Sequence, residues 1–133
     1  MSRCRRLHVP GGFYYLVARS NVGQVICTGA EDYAKLQSDL RTAGGATRAH
    51  VHGLCVLPQA LHMIVEVSEA PLGQFVQRFA SRYARAAFRS RSLSGHLFAQ
   101  HPHALLFDAD AYLLPIVCHV HWLPVWEHLC SSA

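Results

Sequence analysis

The sequence feature that most constrains the fold is a pair of apolar runs with almost nothing between them. Residues 49–57 (AHVHGLCVL) and 61–67 (LHMIVEV) are separated only by Pro58, Gln59 and Ala60. Such runs predict β-strands, and strands joined by so short a link are antiparallel neighbours. We therefore expect the domain to be built around an antiparallel hairpin.

A helix is predicted before this hairpin. Thr28 and Glu31 have the spacing of a capping box, and Leu36 and Leu40 follow at helical spacing. The glycine pair at 44–45 is a strong helix stop. A short extended piece is expected at 24–27, just ahead of the helix.

The longest periodic segment follows Pro71 and predicts a second helix. Its apolar residues repeat at helical spacing and form one face: Leu72, Phe75, Val76, Phe79, Tyr83 and Ala87. Four arginines follow one another at steps of three and four residues on the same helix: Arg78, Arg82, Arg85 and Arg89. We call these four residues the arginine stripe.

Two more strands and a third helix complete the pattern. Strands are predicted at 13–18 and 104–107, and a last helix begins after Asp108 or Asp110 and ends at Pro124. The order is strand, helix, strand, strand, helix, strand, helix. It predicts a single α+β domain over residues 1–133, with one antiparallel sheet, helices packed on one face of it, and a ferredoxin-like topology.

Composition excludes several classes of protein. The chain is 51% hydrophobic and 15% charged, which excludes an intrinsically disordered protein. No apolar run is long enough for a membrane span, and none follows the N-terminal arginines as a signal peptide would require. The five cysteines are an odd number without a Cys-x-x-Cys pair, which favours reduced thiols and a cytoplasmic protein.

The cations are almost all arginine. Of the 12 basic residues only Lys35 is a lysine. The planar guanidinium group matches phosphate oxygens, so this bias favours a nucleic-acid partner. A GC-rich genome produces the same bias, and composition does not separate the two explanations.

The chain has ten histidines, and they include three His-x-His pairs. His50 and His52 lie on a predicted strand, where residues two apart face the same side and could chelate one metal ion. His119 and His121 lie on a predicted helix, where positions two apart diverge. The alternative for each pair is a set of solvent-facing or core histidines.

Four segments, in order and at the expected spacing, resemble the single-tyrosine HUH transposases. This is the insertion-sequence-200-type family with its palindrome-associated relatives. PGGFYYLVARSN is similar to the family's opening strand, Pro-Gly-x-x-Tyr-His-Val-(Thr/Ser)-x-Arg-Gly-Asn, and LCVLPQALHMIVEV is similar to its strand–Pro–strand motif with the paired histidines. RYARAAFRSRSLSGHLF resembles the central arginine helix, and AYLLPIVCHVHWLPV resembles the closing helix. The resemblance covers about residues 8–126.

The resemblance implies an enzyme that cleaves and rejoins single-stranded DNA. In the family, two histidines and a third polar side chain hold Mg²⁺ or Mn²⁺, and a tyrosine on the last helix attacks the phosphate. His62 matches the second histidine, but Ala60 stands at the first and Leu123 at the third ligand. His119 stands at the position of the tyrosine, and the strand pairing predicts that His62 points to the face on which the last helix lies, close to His119. The resemblance therefore implies a pseudoenzyme that needs no cofactor.

Three candidate functions are compatible with this comparison to the family's catalytic positions. The first is a catalytically inactive transposase-like protein that keeps at most binding to single-stranded or hairpin DNA. The residues assigned to that binding are Arg19, Arg78, Arg82, Arg85, Arg89 and Arg91. The second is an active transposase with a metal site rebuilt from His62, His119 and His103. The third is a protein-interaction module that uses the apolar, histidine-rich segment 119–129, and a homodimer is compatible with each function.

Overall fold

The computed structural model describes residues 8–21, 23–91, 96–99 and 102–126, which form one four-stranded antiparallel sheet and three helices. The strand order is β2-β3-β1-β4, which is the ferredoxin-like order with one helix added at the end. The predicted α+β class is confirmed. The elements are β1 (Phe13–Arg19), α1 (Ala30–Thr47), β2 (His50–Leu57), β3 (Ala60–Glu66), α2 (Leu72–Arg91), β4 (His103–Phe107) and α3 (Ala109–Trp126).

The hairpin that the sequence predicts is the centre of the fold. β2 and β3 pair through Leu57 and Ala60 at the turn, and β3 pairs on its other side with β1. Because β3 lies inside the sheet, it is apolar on both faces, and Leu61, Met63 and Ile64 are fully buried.

Helices α1 and α2 cover one face of the sheet. Phe75, Phe79 and Tyr83 of α2 are buried against alternate residues of the strands, among them Leu16 and Met63. The rings of Phe75 and Phe79 pack 5.3 Å apart between centroids. The apolar periodicity after Pro71 therefore identified the face of α2 that forms the larger core.

Helix α3 covers the other face, so the expectation that all helices lie on one face is wrong. Val120 and Leu123 of α3 are buried against Cys55, Leu57 and Ile64 of the hairpin. The physical reason is that both helical crossovers of this topology lie on one side of the sheet. The apolar side chains on the opposite face then need a separate cover.

The ends of α1 differ from the prediction. Asp32, and not Glu31, accepts hydrogen bonds from the Thr28 backbone N–H and hydroxyl. The helix continues through the glycine pair to Thr47 and ends at Arg48, which has the left-handed φ of 56°. A side chain at Gly44 would approach the carbonyl oxygen of Ala49 to 2.8 Å, so this glycine permits a close contact and does not stop the helix.

Two other expectations fail locally. Residues 24–27 form no strand, although the Ile26 N–H donates to the carbonyl of Pro58. Pro124 does not end α3, which continues to Trp126. Helix α3 also contains Pro115 as its seventh residue. None of the described helices is long and apolar enough to cross a membrane.

Candidate active site

Three side chains meet between the sheet and α3. His62 of β3 shares a hydrogen bond of 2.7 Å between its Nδ1 and the hydroxyl of Tyr15 on β1. The Tyr15 ring lies 5.9 Å from the His62 ring and 6.0 Å from the His119 ring of α3, between centroids. The expectation that His62 faces the last helix, close to His119, is confirmed.

Tyr15 is the residue of this cluster that sequence reasoning missed. It stands where the family pattern of the opening strand has a histidine, which is the signal that could have found it. Burial raises the pKa of its hydroxyl, the Cys55 thiol raises the pKa further, and Arg19 acts in the opposite direction. The hydroxyl therefore stays protonated at neutral pH and acts as a hydrogen-bonding group.

The remaining two family positions are apolar and buried. Ala60 is 7% exposed and Leu123 is 8% exposed. Ala60 lies on the same face of β3 as His62, because residues two apart on a strand share a face. Its cross-strand partner, Leu57, packs in the same cluster as Leu123. The positions of the two missing ligands therefore form part of the apolar packing under α3.

The residues present do not fit the divalent metal that the resemblance implies. A methyl group and an isobutyl group replace two of its three donors, and only the His62 imidazole remains. His103 shares the α3 face, because it and His62 both pair with Val17 of β1. It lies two strands from His62, about 10 Å away. No three His, Cys, Asp or Glu side chains within the described ranges are placed to hold a metal ion.

The His50–His52 pair is not arranged as a chelate. His52 bonds Glu66 at 2.8 Å and stacks on the Phe13 ring at 5.1 Å. The strand is irregular between Val51 and Gly53, immediately next to His52. His101 lies outside the described residues.

The arginine stripe is exposed along α2. Arg78, Arg85 and Arg89 are exposed, and Arg82 remains about half exposed although its Nε lies 3.4 Å from the buried carboxylate of Asp39. The first two arginines of the stripe line a groove between α1 and α2. All four arginines of the stripe are therefore accessible to solvent.

Arg91 is placed differently from the stripe. Its guanidinium donates hydrogen bonds to the carbonyls of Val25 (2.5 Å) and Ile26 (2.6 Å) and to the carboxylate of Asp32 (2.7 Å). The side chain is only 13% exposed. Arg91 connects the end of α2 to the start of α1, and both of its terminal nitrogens donate hydrogen bonds inside the protein.

The candidate DNA-binding residues lie on two sides of the sheet. Arg19 is exposed at the end of β1, on the α3 face, two residues along the strand from Val17, the partner of His62. The arginine stripe belongs to α2, on the opposite face. The structure therefore separates the cations near the catalytic positions from the cations of α2.

Comparison with sequence-family profiles and with curated proteins gives no match. Two solved structures are similar in fold. One is a REP-associated tyrosine transposase bound to a REP hairpin, with a TM-score of 0.80 and 14% identity, over 98% of this chain and 77% of that chain. The other is a candidate transposase from Deinococcus radiodurans R1, with a TM-score of 0.60 and 17% identity, over 90% of this chain and 98% of that chain. The chain therefore has the fold of a tyrosine transposase, the fold that the resemblance of its sequence implies.

Proposed function

We propose that this chain is a cytoplasmic, transposase-like protein that binds hairpin or single-stranded DNA and has lost strand-transfer chemistry. The observation that carries the proposal is the burial of apolar side chains at the positions of two metal ligands, Ala60 and Leu123, in a fold that otherwise matches a transposase.

The loss of chemistry follows from what the reaction requires. A divalent metal polarises the scissile phosphate, and a tyrosine hydroxyl forms the covalent intermediate. Ala60 and Leu123 supply no metal donor, and His119 has no hydroxyl. Tyr15 lies nearby, but it is on β1 and not at the family's tyrosine position on the last helix, and burial raises the pKa of its hydroxyl.

The arginine stripe supports the binding half of the proposal. Its members span twelve residues of α2, 78–89, about 17 Å along the helix axis. Guanidinium groups in such a row contact successive phosphates without reading the sequence. The hairpin in the matched transposase structure supports this class of partner.

Salt-dependent DNA binding tests the proposal. Fluorescence anisotropy of a labelled DNA hairpin with single-stranded flanks is measured from low to physiological salt. We expect log affinity to fall linearly with log salt, by about 0.7 per neutralised phosphate on single strands. The double change Arg85→Glu, Arg89→Glu weakens binding to all sequences alike, whereas the matched Arg85→Lys, Arg89→Lys control keeps most of it. Absence of binding at low salt, or binding that is insensitive to salt, overturns the DNA-binding proposal.

A second candidate function rests on α3. This helix exposes Leu114 (73% exposed), Tyr112 (56%) and Trp122 (45%), and Leu105 of β4 is also exposed (63%). Exposed apolar side chains in this number favour a protein contact, of which a second copy of the chain is the simplest. Sedimentation equilibrium tests it. A dimer that Leu114→Glu dissociates supports the interaction module, and a monomer at all concentrations argues against the homodimer.

A further inference from the structure

A cavity of about 800 Å³ lies between the C-terminal half of α1 and the first residues of β2, and one residue of α3, His121, reaches its rim. This volume is within the usual range for small-molecule sites. The cavity is distinct from the Tyr15–His62–His119 cluster and from the groove beside the arginine stripe. We call it the α1–β2 cavity.

Arginine and histidine residues line the α1–β2 cavity, and none of its described lining residues is acidic. Arg41 comes from α1, Arg48 follows its last turn, and His50 and His52 come from β2. The nearest acidic groups lie outside the lining. Glu66 bonds His52, and Glu69 borders a neighbouring depression together with Arg48 and His50. Two arginines in the lining of one cavity, with no acidic residue among the described residues of that lining, favour an anion.

The backbone of Arg48 is a second, independent observation. Among the described residues, it is the only non-glycine residue with a positive φ, at 56°. Glycine or asparagine is the usual residue at this position of a helix end, because other side chains are strained there. A strained residue at the rim of a cavity points to a use for its side chain.

The floor of the cavity is apolar and partly bare backbone. Leu40, Ala49 and Leu54 contribute to it, and a Cβ added at Gly45 would meet nothing within 4 Å. An anionic group at the arginines and a flat apolar body on this floor together describe a nucleotide. Such a ligand uses the phosphate as the charged end and the base as the apolar end.

We propose that the α1–β2 cavity binds a phosphate-bearing ligand of nucleotide size, with the phosphate at Arg41 and Arg48 and the base on the floor beside Gly45. A free nucleotide and the phosphorylated end of a DNA strand share this chemistry. The site goes beyond the proposed function, because it uses neither the arginine stripe nor His62.

Isothermal titration calorimetry tests the site on the full chain. The probes are adenosine monophosphate, adenosine without phosphate, and a 5′-phosphorylated trinucleotide. We expect saturable binding of a phosphorylated probe. Adenosine should bind at least about tenfold more weakly, because it has no phosphate to pair with the arginines. Binding of the monophosphate assigns a free nucleotide, and binding of the trinucleotide alone assigns a strand end. No saturable binding of either phosphorylated probe, or equal binding of adenosine, overturns the proposal.

Variants at two positions distinguish a loss of ligand binding from a general loss of protein stability. Arg48→Gly removes the guanidinium and relieves the left-handed strain, so it weakens binding about tenfold while the thermal midpoint stays the same or rises. Gly45→Glu places a negative charge in the open floor and weakens binding further than Gly45→Gln, which has the same size. Unchanged affinity in Arg48→Gly, or equal effects of the two Gly45 changes, contradicts the assigned phosphate position. The double change Arg85→Glu, Arg89→Glu leaves nucleotide affinity unchanged, so failure of the cavity and failure of stripe-dependent DNA binding are distinguishable.

Discussion

The two faces of the sheet differ in what they bury. On the α1–α2 face, large aromatic side chains such as Phe75, Phe79 and Tyr83 are fully enclosed. On the α3 face, Tyr15 and His62 are only half-buried, and His119 is exposed. The first face holds the fold together, and the second holds the positions at which the family carries its chemistry.

This difference suggests how a catalytic site can disappear while a fold is kept. A metal site on the α3 face requires polar ligands at positions next to apolar packing, and such groups reduce stability. Leu123 instead adds to the packing under α3, and Ala60 is buried beside its cross-strand partner Leu57. The α1–α2 face carries none of these positions, so its core does not depend on whether the chemistry is retained.

The largest expected effect is on the α1–α2 face. Phe79→Ala removes a fully buried ring from that core and should lower the free energy of unfolding by about 3–5 kcal/mol. Ile116→Ala on α3 removes a half-buried side chain and should cost about 1–2 kcal/mol. Urea denaturation of both variants checks the comparison, and equal losses would contradict the unequal roles of the two faces.

A smaller effect is expected where the family ligand would be restored. Leu123→Asn places an amide among Leu57, Ile64 and Val120 and should cost about 1–3 kcal/mol, because its polar atoms lose water. His119→Tyr is at an exposed position and should change stability by less than about 0.5 kcal/mol. Thermal unfolding of the two single variants distinguishes these sites. A Leu123→Asn protein as stable as the parent would show that this position is not part of the packing.

Acid sensitivity tests the connection between α2 and α1. Hydrogen bonds from Thr28, aided by the Arg91 guanidinium, hold the pKa of Asp32 below its usual value. The carboxylate therefore stabilises the fold above its unfolded-state pKa of about 4, and this contribution is lost as the pH falls through the lower folded-state pKa. Asp32→Asn should cost about 1–2 kcal/mol at pH 7 and should flatten the acid dependence below about pH 4. A variant with the parental acid profile would show that Asp32 does not contribute this dependence.

The smallest effect concerns the two glycines inside α1. Gly45→Ala should stabilise the protein by about 0.5–1 kcal/mol, because the added methyl group meets open space and alanine favours a helix. Gly44→Ala should destabilise it, because the methyl group would approach the Ala49 carbonyl to 2.8 Å. Chemical denaturation of the pair checks the signs, and the same sign for both would contradict the close approach at Gly44.

The sequence was sufficient for the elements whose signals are local and strong. The short link at Pro58 predicted the hairpin, and the apolar spacing of Phe75, Phe79 and Tyr83 predicted the buried face of α2. The facing of His62 toward α3 followed from the alternation of side chains along a strand. Each of these inferences needs only neighbours in sequence.

The sequence did not reveal the features that depend on contacts formed only in the folded chain. The path of α1 through Gly44 depends on the approach of Ala49, and the burial of Arg91 depends on Asp32 and the carbonyls of residues 25 and 26. Helix α3 has apolar residues nearly all around, so its pattern did not tell which face of the sheet it would cover. The same pattern did not tell that Tyr112 would be exposed.

The most direct test of the central claim is a search for a covalent protein–DNA adduct. The unmodified protein is incubated with single-stranded DNA hairpins and Mg²⁺ or Mn²⁺, and adducts are resolved on a denaturing gel beside Ala60→His, His119→Tyr, Leu123→Asn. We expect no adduct and no nicking by the unmodified protein, and we expect the triple variant to regain metal binding before cleavage. A metal-dependent adduct of the unmodified protein that His119→Ala or Tyr15→Phe abolishes would contradict the loss of chemistry and establish a rebuilt active site.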